Sequence, residues 1–128
     1  IVAAMREIGD WSGRALLDVG CGTGFHLPLW AGSASKVVGI EPYPPLVSIA
    51  RRRTRSLRNV TVRQGVAEAL PVRDATVDVV HARWAYFFGP GSEPGLRELD
   101  RVPPKPGVPE PRDRHHLGGV LPLSLVSR

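Results

Sequence analysis

The sequence predicts an α/β fold, a doubly wound and mostly parallel sheet with helices on both faces, incomplete in its C-terminal half. Short and largely apolar segments, at residues 15–19 and 37–40, alternate with stretches of helical spacing. Strands of this kind are typical of a parallel sheet that is covered on both sides. A glycine cluster at residues 20–24 directly follows the first segment. With 128 residues, 42% hydrophobic and 23% charged, the chain suits one globular domain.

Apolar spacing and the positions of prolines place the elements along the chain. The strands are expected at residues 15–19, 37–40, 60–62 and 76–80, the last with Asp78 inside it. The helices are expected at residues 1–8, 25–30, 44–55 and about 96–99. Pro28 is compatible with the second helix because it falls in the first turn. Pro44 and Pro45 suit the start of the third helix.

Other classes of protein are disfavoured by composition. No apolar run approaches the ~20 residues that a membrane-spanning helix needs, and no secretion signal is recognisable. We therefore expect a cytoplasmic protein that does not span a membrane. Cys21 is the only cysteine, which excludes an internal disulfide and a multi-cysteine zinc cluster. His115 and His116 lack companions at ligand spacing, so no metal is predicted.

The net charge of +5 is unevenly distributed. Six arginines and no acidic residue occupy residues 51–63, namely Arg51, Arg52, Arg53, Arg55, Arg58 and Arg63. Such a stripe is found in nucleic-acid-binding proteins, but also on solvated helix faces whose arginine stems cover apolar surface. No aromatic residue is interleaved to stack on bases, which favours the solvated face. An RNA-binding or RNA-modifying protein is retained as an alternative.

The glycine cluster and one acidic residue predict a nucleoside-binding site. Gly20, Gly22 and Gly24 lie where the first strand turns into the second predicted helix, and glycine permits a sharp turn and close approach of a ligand. Glu41 follows the second strand, at a position 21 residues after Gly20. In this fold the two lie together at the ligand crevice, where a carboxylate can accept hydrogen bonds from both ribose hydroxyls. A structural glycine turn with a surface glutamate is the alternative.

The glycine spacing disfavours a dinucleotide. A dinucleotide loop reads G-x-G-x-x-G, which would require glycine where this chain has Phe25. Here the third glycine comes one position earlier, at Gly24. A ligand without a pyrophosphate is therefore favoured, and a nucleotide-dependent oxidoreductase is a distant alternative.

Four segments in order resemble the motifs of class I S-adenosylmethionine-dependent methyltransferases, in particular the branch that modifies small molecules. They are LLDVGCGTG at residues 16–24, VGIEP at 38–42, GVAEALP at 65–71, and VDVV at 77–80 continuing to LRELDRV at 96–102. The resemblance covers roughly residues 1–107. It implies a Rossmann-like fold, S-adenosyl-L-methionine as cofactor, and methylation of a small-molecule acceptor that the sequence does not identify.

The resemblance also implies roles for individual residues. Backbone of the glycine loop would line the methionine moiety, Asp18 would help to hold its amino group, and Glu41 would accept the ribose hydroxyls. Pro42, Val66 and Ala67 would lie near the adenine, and His81 near the sulfonium. The loop residues concerned are Gly20, Cys21, Gly22 and Gly24. The family usually has Asp where this chain has Val66, and that Asp accepts a hydrogen bond from the adenine amino group. Loss of such a bond costs about 1–3 kcal/mol, so cofactor affinity is expected to be reduced unless Glu68 or a water replaces it.

Candidates for substrate contact and catalysis follow the fourth strand. Methyl transfer requires mainly that acceptor and methyl be held in line, and a base only if the acceptor must lose a proton. His81 is the candidate base, with a histidine that lines the cofactor pocket as the alternative. Four aromatic residues would either line an acceptor pocket or pack against the sheet, namely Trp84, Tyr86, Phe87 and Phe88. His26 would only cap the helix or contact the ligand.

The sequence after Arg101 differs from the family. Five prolines fall at positions 103, 104, 106, 109 and 111, and proline does not fit a central strand. We expect the methyltransferase core to be partial and to occupy residues 1–107, followed by an irregular Pro/Arg-rich tail at 108–128. Our hypothesis is that the chain is truncated or frame-shifted from about residues 102–108. The fourth strand would then present an exposed edge, which predicts self-association, and a cofactor-binding remnant without turnover is a further alternative.

Overall fold

A computed structural model describes residues 11–83, 93–103 and 125–127, with only the backbone described for Arg83 and for the last three. The strands are β1 (Ala15–Val19), β2 (Lys36–Glu41), β3 (Val60–Gln64), β4 (Val79–Arg83) and β5 (Leu125–Ser127). The helices are α1 (Leu27–Ala31), α2 (Pro44–Arg53) and α3 (Glu93–Arg101). The helix predicted at residues 1–8 lies outside the described residues.

The described strands form one sheet in the order β3-β2-β1-β4-β5, and every neighbouring pair is parallel. This confirms the predicted doubly wound, parallel α/β architecture. The chain leaves β1 first in one direction, to β2 and β3, and then in the other, to β4. The carboxyl ends of β1, β2 and β4 therefore meet at the reversal of strand order, where open α/β sheets bind their ligands.

Each face of the sheet carries its own hydrophobic core. On one face Leu16, Val37 and Val79 pack with residues of α1 and α2, including Leu27 and Ala50. On the other face α3 contributes Leu99 to a second core. The strand residues of that second core are Leu17, Val19, Val38, Ile40, Val80 and Ala82. Because both faces are covered, the central strands β1 and β2 are largely apolar, which is the pattern that predicted them.

The fourth strand begins at Val79 and not at residue 76 as predicted. Asp78 precedes the strand, is 1% exposed, and accepts a hydrogen bond at Oδ2 from the amide of Ala15 at 2.8 Å. Its own amide donates to the carbonyl of Ala15 at 2.9 Å. Asp78 therefore joins the amino end of β4 to that of β1, at the end of the sheet opposite the glycine cluster.

The structure changes the expectation for part of the tail. Leu125–Ser127 form β5 and pair with β4 from His81 to Arg83, so the prediction of an irregular tail is wrong for these three residues. They are apolar or β-compatible and lie beyond Pro122, so all their amides can join the ladder. Over residues 81–83, β4 therefore has a neighbouring strand that the sequence analysis did not predict. The other tail residues, 108–124 and 128, lie outside the described part of the chain.

Two residues of α3 hold the segment that connects β3 to β4. Glu98 Oε1 accepts a hydrogen bond from the Leu70 amide at 2.7 Å, and the Arg101 guanidinium donates to the carbonyls of Leu70 and Val72 at 2.9 and 2.7 Å. Arg101 also pairs with Asp74 at 2.7 Å and with Glu98. The connecting segment is thus fixed against α3 by charged hydrogen bonds.

No helix in the described part of the chain is long and apolar enough to cross a membrane. Within residues 11–83, 93–103 and 125–127, no three histidine, cysteine or acidic side chains are grouped in a way that could hold a metal ion.

Candidate functional site

The three loop glycines have left-handed backbone but different surroundings. Their φ angles are +77° at Gly20, +57° at Gly22 and +76° at Gly24, a region that favours glycine over other residues. A Cβ added to Gly24 would lie 3.0 Å from Ala50 Cβ, so this glycine allows α2 to pack against the loop. A Cβ on Gly22 would meet no atom within 4 Å. Gly24 therefore serves packing, while Gly22 borders open space that a ligand can enter.

The amides of the glycine loop are largely occupied by internal hydrogen bonds. The Gly20 and Cys21 amides donate to the Ile40 carbonyl at 2.8 and 3.0 Å, and the Gly24 amide donates to the Cys21 carbonyl at 2.9 Å. The Gly22 amide donates to Glu41 Oε1 at 3.0 Å. A phosphate site at a helix start needs such amides free and directed at the anion. The loop is therefore a poor pyrophosphate site, in agreement with the interpretation of Phe25.

Glu41 joins the two halves of the crevice. It ends β2, is 6% exposed, and accepts hydrogen bonds at Oε1 from the Gly22 amide and at Oε2 from the Tyr43 amide, each at 3.0 Å. An ionised carboxylate has about four lone-pair positions, so each oxygen retains capacity for one further donor. The structure thus brings Gly22 and Glu41 together, as predicted, and leaves Glu41 able to accept two ribose hydroxyls.

Asp18 and His81 form a buried pair on neighbouring strands. The parallel register of β1 and β4 sets Asp18 opposite His81, and Asp18 Oδ1 lies 2.9 Å from His81 Nδ1. Burial raises the pKa of the Asp18 carboxyl above its usual range, while the hydrogen bond from His81 acts in the opposite direction. The sequence analysis named both residues but missed that they are bonded to each other.

The His81 ring is enclosed. It is 1% exposed, its centroid lies 4.6 Å from that of the Trp30 ring, and its Nε2 has no hydrogen-bond partner among the described residues. His26 in turn lies 5.5 Å from Trp30, centroid to centroid. This geometry favours the pocket-lining interpretation of His81 over a base that meets an acceptor directly.

Cys21 is a packing residue in this arrangement. Its Sγ lies 3.0 Å from the position that a Cβ on Gly39 would take, so the absence of a side chain at Gly39 makes room for the thiol. Burial, with smaller contributions from Asp18 and Glu41, raises the pKa of the Cys21 thiol to about 12. The thiol is therefore protonated near neutral pH and is not a nucleophile there.

The segment after β3 lies beside Glu41. The Gly65 amide donates to the Glu41 carbonyl at 3.2 Å, and Val66 forms an antiparallel bridge with Ala69. Val66 is 43% exposed, whereas Ala67 packs against the second core. Pro42 is exposed next to Glu41. The three residues that the resemblance assigned to the adenine are thus near Glu41 in the chain or near its partner Gly65. Pro42 follows Glu41 directly, and Val66 and Ala67 follow Gly65.

Three of the six arginines between residues 51 and 63 make internal contacts. Arg51 Nε donates to the Val62 carbonyl at 3.1 Å, and Arg63 donates to the Pro71 carbonyl at 2.6 Å. Arg53 approaches Thr23 Oγ1 at 3.4 Å and lies over the Phe25 ring at 5.7 Å. These arginines therefore join α2 and β3 to neighbouring segments. Trp84, Tyr86 and the two histidines at 115 and 116 lie outside the described residues.

The fold and the crevice together define a Rossmann-like α/β domain with a glycine loop and an acidic residue where the strand order reverses. Comparison with known proteins agrees with this class. The profile of the methyltransferase domain family matches residues 17–108. The chain is 33% identical over 108 residues to a demethylmenaquinone methyltransferase of Lactococcus lactis, covering 80% of this chain and 42% of that protein. A relative of the same name from Staphylococcus aureus is 33% identical over 106 residues, covering 80% and 44%.

Among solved structures, a SAM-dependent methyltransferase from Aquifex aeolicus superposes with a TM-score of 0.73 and 29% identity, over 80% of this chain and 57% of that one. The chain therefore belongs to the methyltransferase domain family and has the fold of the class I S-adenosylmethionine-dependent enzymes. It spans less than half the length of the two curated relatives.

Proposed function

We propose that this chain is the S-adenosylmethionine-binding part of a methyltransferase that acts on a small-molecule acceptor. The observation that carries the proposal is the Glu41 carboxylate, which is hydrogen bonded to the Gly22 amide and keeps acceptor capacity at the crevice. The relatives named demethylmenaquinone methyltransferase support a small-molecule acceptor. The composition and single cysteine support a cytoplasmic location. We also propose a partial methyltransferase core at residues 1–107 and a tail at 108–128, of which Leu125–Ser127 returns to the sheet of the core as β5.

The residues present fit the cofactor at three places. Glu41 would hold the ribose hydroxyls, and the open side of Gly22 leaves room for the adenosyl group beside the loop. Asp18, the only acid of β1, would attract the cationic amino group of the methionine moiety, while Gly20, Cys21 and Gly24 shape the loop. The bound cofactor supplies an activated methyl group whose leaving group needs no proton. The protein then has mainly to orient the acceptor and exclude water.

The adenine end is the weak part of this site. Val66, with Pro42 and Ala67, offers apolar contact but no side-chain acceptor for the adenine amino group. Loss of one hydrogen bond of this type costs about 1–3 kcal/mol, which corresponds to cofactor affinity roughly 10- to 100-fold lower. This favours, as a second candidate function, a cofactor-binding domain without turnover. Calorimetry combined with a methyl-release assay separates the two, because binding without release of S-adenosylhomocysteine selects the second.

The proposal is tested by titrating the chain with S-adenosylhomocysteine and comparing the wild type with Glu41→Gln. In the variant the side-chain NH₂ group of the glutamine replaces one carboxylate oxygen and faces the amide of Gly22 or Tyr43, which is also a donor. One internal hydrogen bond and one acceptor for a ribose hydroxyl are therefore lost. We expect binding by the wild type and affinity about 10- to 100-fold lower in the variant. Lys36→Gln, at the opposite end of the same strand, is the matched control and should bind like the wild type. Absence of binding by the wild type would refute the proposal.

A further inference from the structure

We propose that His81 is a positioning residue for the amino-acid portion of the cofactor, and that it acts through Asp18. This inference rests on the proposed function, because it concerns the same crevice. The proposed function already gives Asp18 the primary ammonium group of the cofactor as its ligand. The inference adds that His81 orients Asp18 for this contact and takes no direct part in the transfer step.

The first argument is geometric. Asp18 and His81 are opposite each other on β1 and β4, the two strands between which the strand order reverses. The contact joins Asp18 Oδ1 and His81 Nδ1 at 2.9 Å, and it is the one hydrogen bond of the Asp18 side chain among the described residues. When Asp18 is ionised its carboxylate only accepts hydrogen bonds, so in that state Nδ1 carries the proton. His81 thus fixes one carboxylate oxygen and leaves the other for an external donor.

The second argument is the state of His81 itself. Its ring is buried against Trp30, and Nε2 has no partner in the described part of the chain. A leucine or phenylalanine would fill this space without burying an unsatisfied nitrogen, and burial of an unsatisfied nitrogen is unfavourable. Packing alone therefore does not explain a histidine here. The Nδ1 contact to Asp18 does, because no apolar side chain can donate it.

The third argument is electrostatic. Desolvation favours the neutral form of Asp18, and His81 opposes it both by its hydrogen bond and by its charge interaction. His26 from the turn before α1 acts in the same direction as His81, whereas Glu41 from β2 repels the Asp18 charge. Cys21, in the loop, is protonated and uncharged. Removal of His81 would therefore favour protonation of Asp18, and a neutral carboxyl attracts an ammonium group only weakly.

The experiment uses two ligands that differ only in the part His81 is proposed to influence. S-adenosylhomocysteine carries the amino-acid group, and 5′-methylthioadenosine lacks it. His81→Leu removes the donor to Asp18, while His81→Asn keeps an amide donor close to the Nδ1 position. We expect His81→Leu to weaken S-adenosylhomocysteine about 10- to 100-fold and methylthioadenosine less than about threefold. His81→Asn should stay within about threefold of the wild type for both.

A pH series provides a second readout that a packing role would not move. Binding of S-adenosylhomocysteine should decline as pH falls and Asp18 becomes protonated, and in His81→Leu this decline should begin at higher pH. If His81→Leu does not fold, His81→Gln takes its place, because its amide extends toward the Nε2 position and away from Asp18. Equal weakening of both ligands, or no weakening, would overturn the inference while leaving the proposed function intact. A wild type that binds neither ligand would overturn both.

Discussion

Replacing Gly24 by alanine should destabilise the chain more than replacing either of two other glycines with the same backbone conformation. A left-handed φ costs a residue with a Cβ about 1–2 kcal/mol. At Gly24 the new Cβ would also lie 3.0 Å from Ala50 Cβ and 3.2 Å from Leu27 Cδ1. Overpacking of this kind costs about 1–3 kcal/mol more. The expected loss of about 2–5 kcal/mol is a large fraction of the free energy of unfolding of a small domain, about 5–15 kcal/mol.

Gly13 and Gly22 provide the controls. Their φ angles are +68° and +57°, and an added Cβ would meet no atom within 4 Å at either position. Gly13→Ala and Gly22→Ala should therefore each lose only about 1–2 kcal/mol in urea unfolding. Calorimetry with S-adenosylhomocysteine then separates them. Gly22→Ala should lose about tenfold or more in affinity, roughly 1.4 kcal/mol, and Gly13→Ala should bind normally. Equal stability losses at positions 13 and 24 would refute this account of the loop.

Two further substitutions test other parts of the structure. Asp18→Asn should raise the free energy of unfolding at pH 7 and lower the affinity for S-adenosylhomocysteine. Burial raises the folded-state pKa of Asp18, so the ionised form disfavours folding above that pKa, and this penalty disappears as the pH falls through it. Urea unfolding between pH 5 and 8 checks the sign of this effect. A variant less stable than the wild type at pH 7 would contradict the prediction. Arg101→Met should lose about 1–3 kcal/mol, because its hydrogen bonds to Leu70 and Val72 disappear, and limited proteolysis should then cleave between residues 70 and 76. Arg97→Met, exposed on the same helix, is the control, and cleavage that is equal in both variants would count against the anchoring role.

The sequence was sufficient for the features that depend on local pattern and on one topological rule. The apolar segments of β1 and β2 predicted their strands, and the parallel fold then required the glycine loop and Glu41 to be adjacent. The hydrogen bond between Gly22 and Glu41 follows from that placement. The motif order also predicted the family.

Features that depend on long-range pairing were not predictable in the same way. Asp78 lies inside the segment 76–80 that was predicted as a strand, but its carboxylate accepts a hydrogen bond from Ala15, 63 residues away. The contact between Asp18 and His81 has the same sequence separation and requires the register of β1 and β4. Strand β5 was missed because proline-rich composition dominates the tail, while three residues free of proline are enough to extend the sheet.

The inward-bonded amides of the glycine loop have a consequence for ligand exchange. Four amides of the loop already have hydrogen-bond partners within the chain, namely those of Gly20, Cys21, Gly22 and Gly24. The conformation of the loop therefore does not depend on a bound ligand. Binding of a ligand would then require little ordering of the glycine loop, and the entropy lost on association is smaller when a site is preorganised. The rate at which used cofactor leaves would accordingly be governed by elements other than this turn.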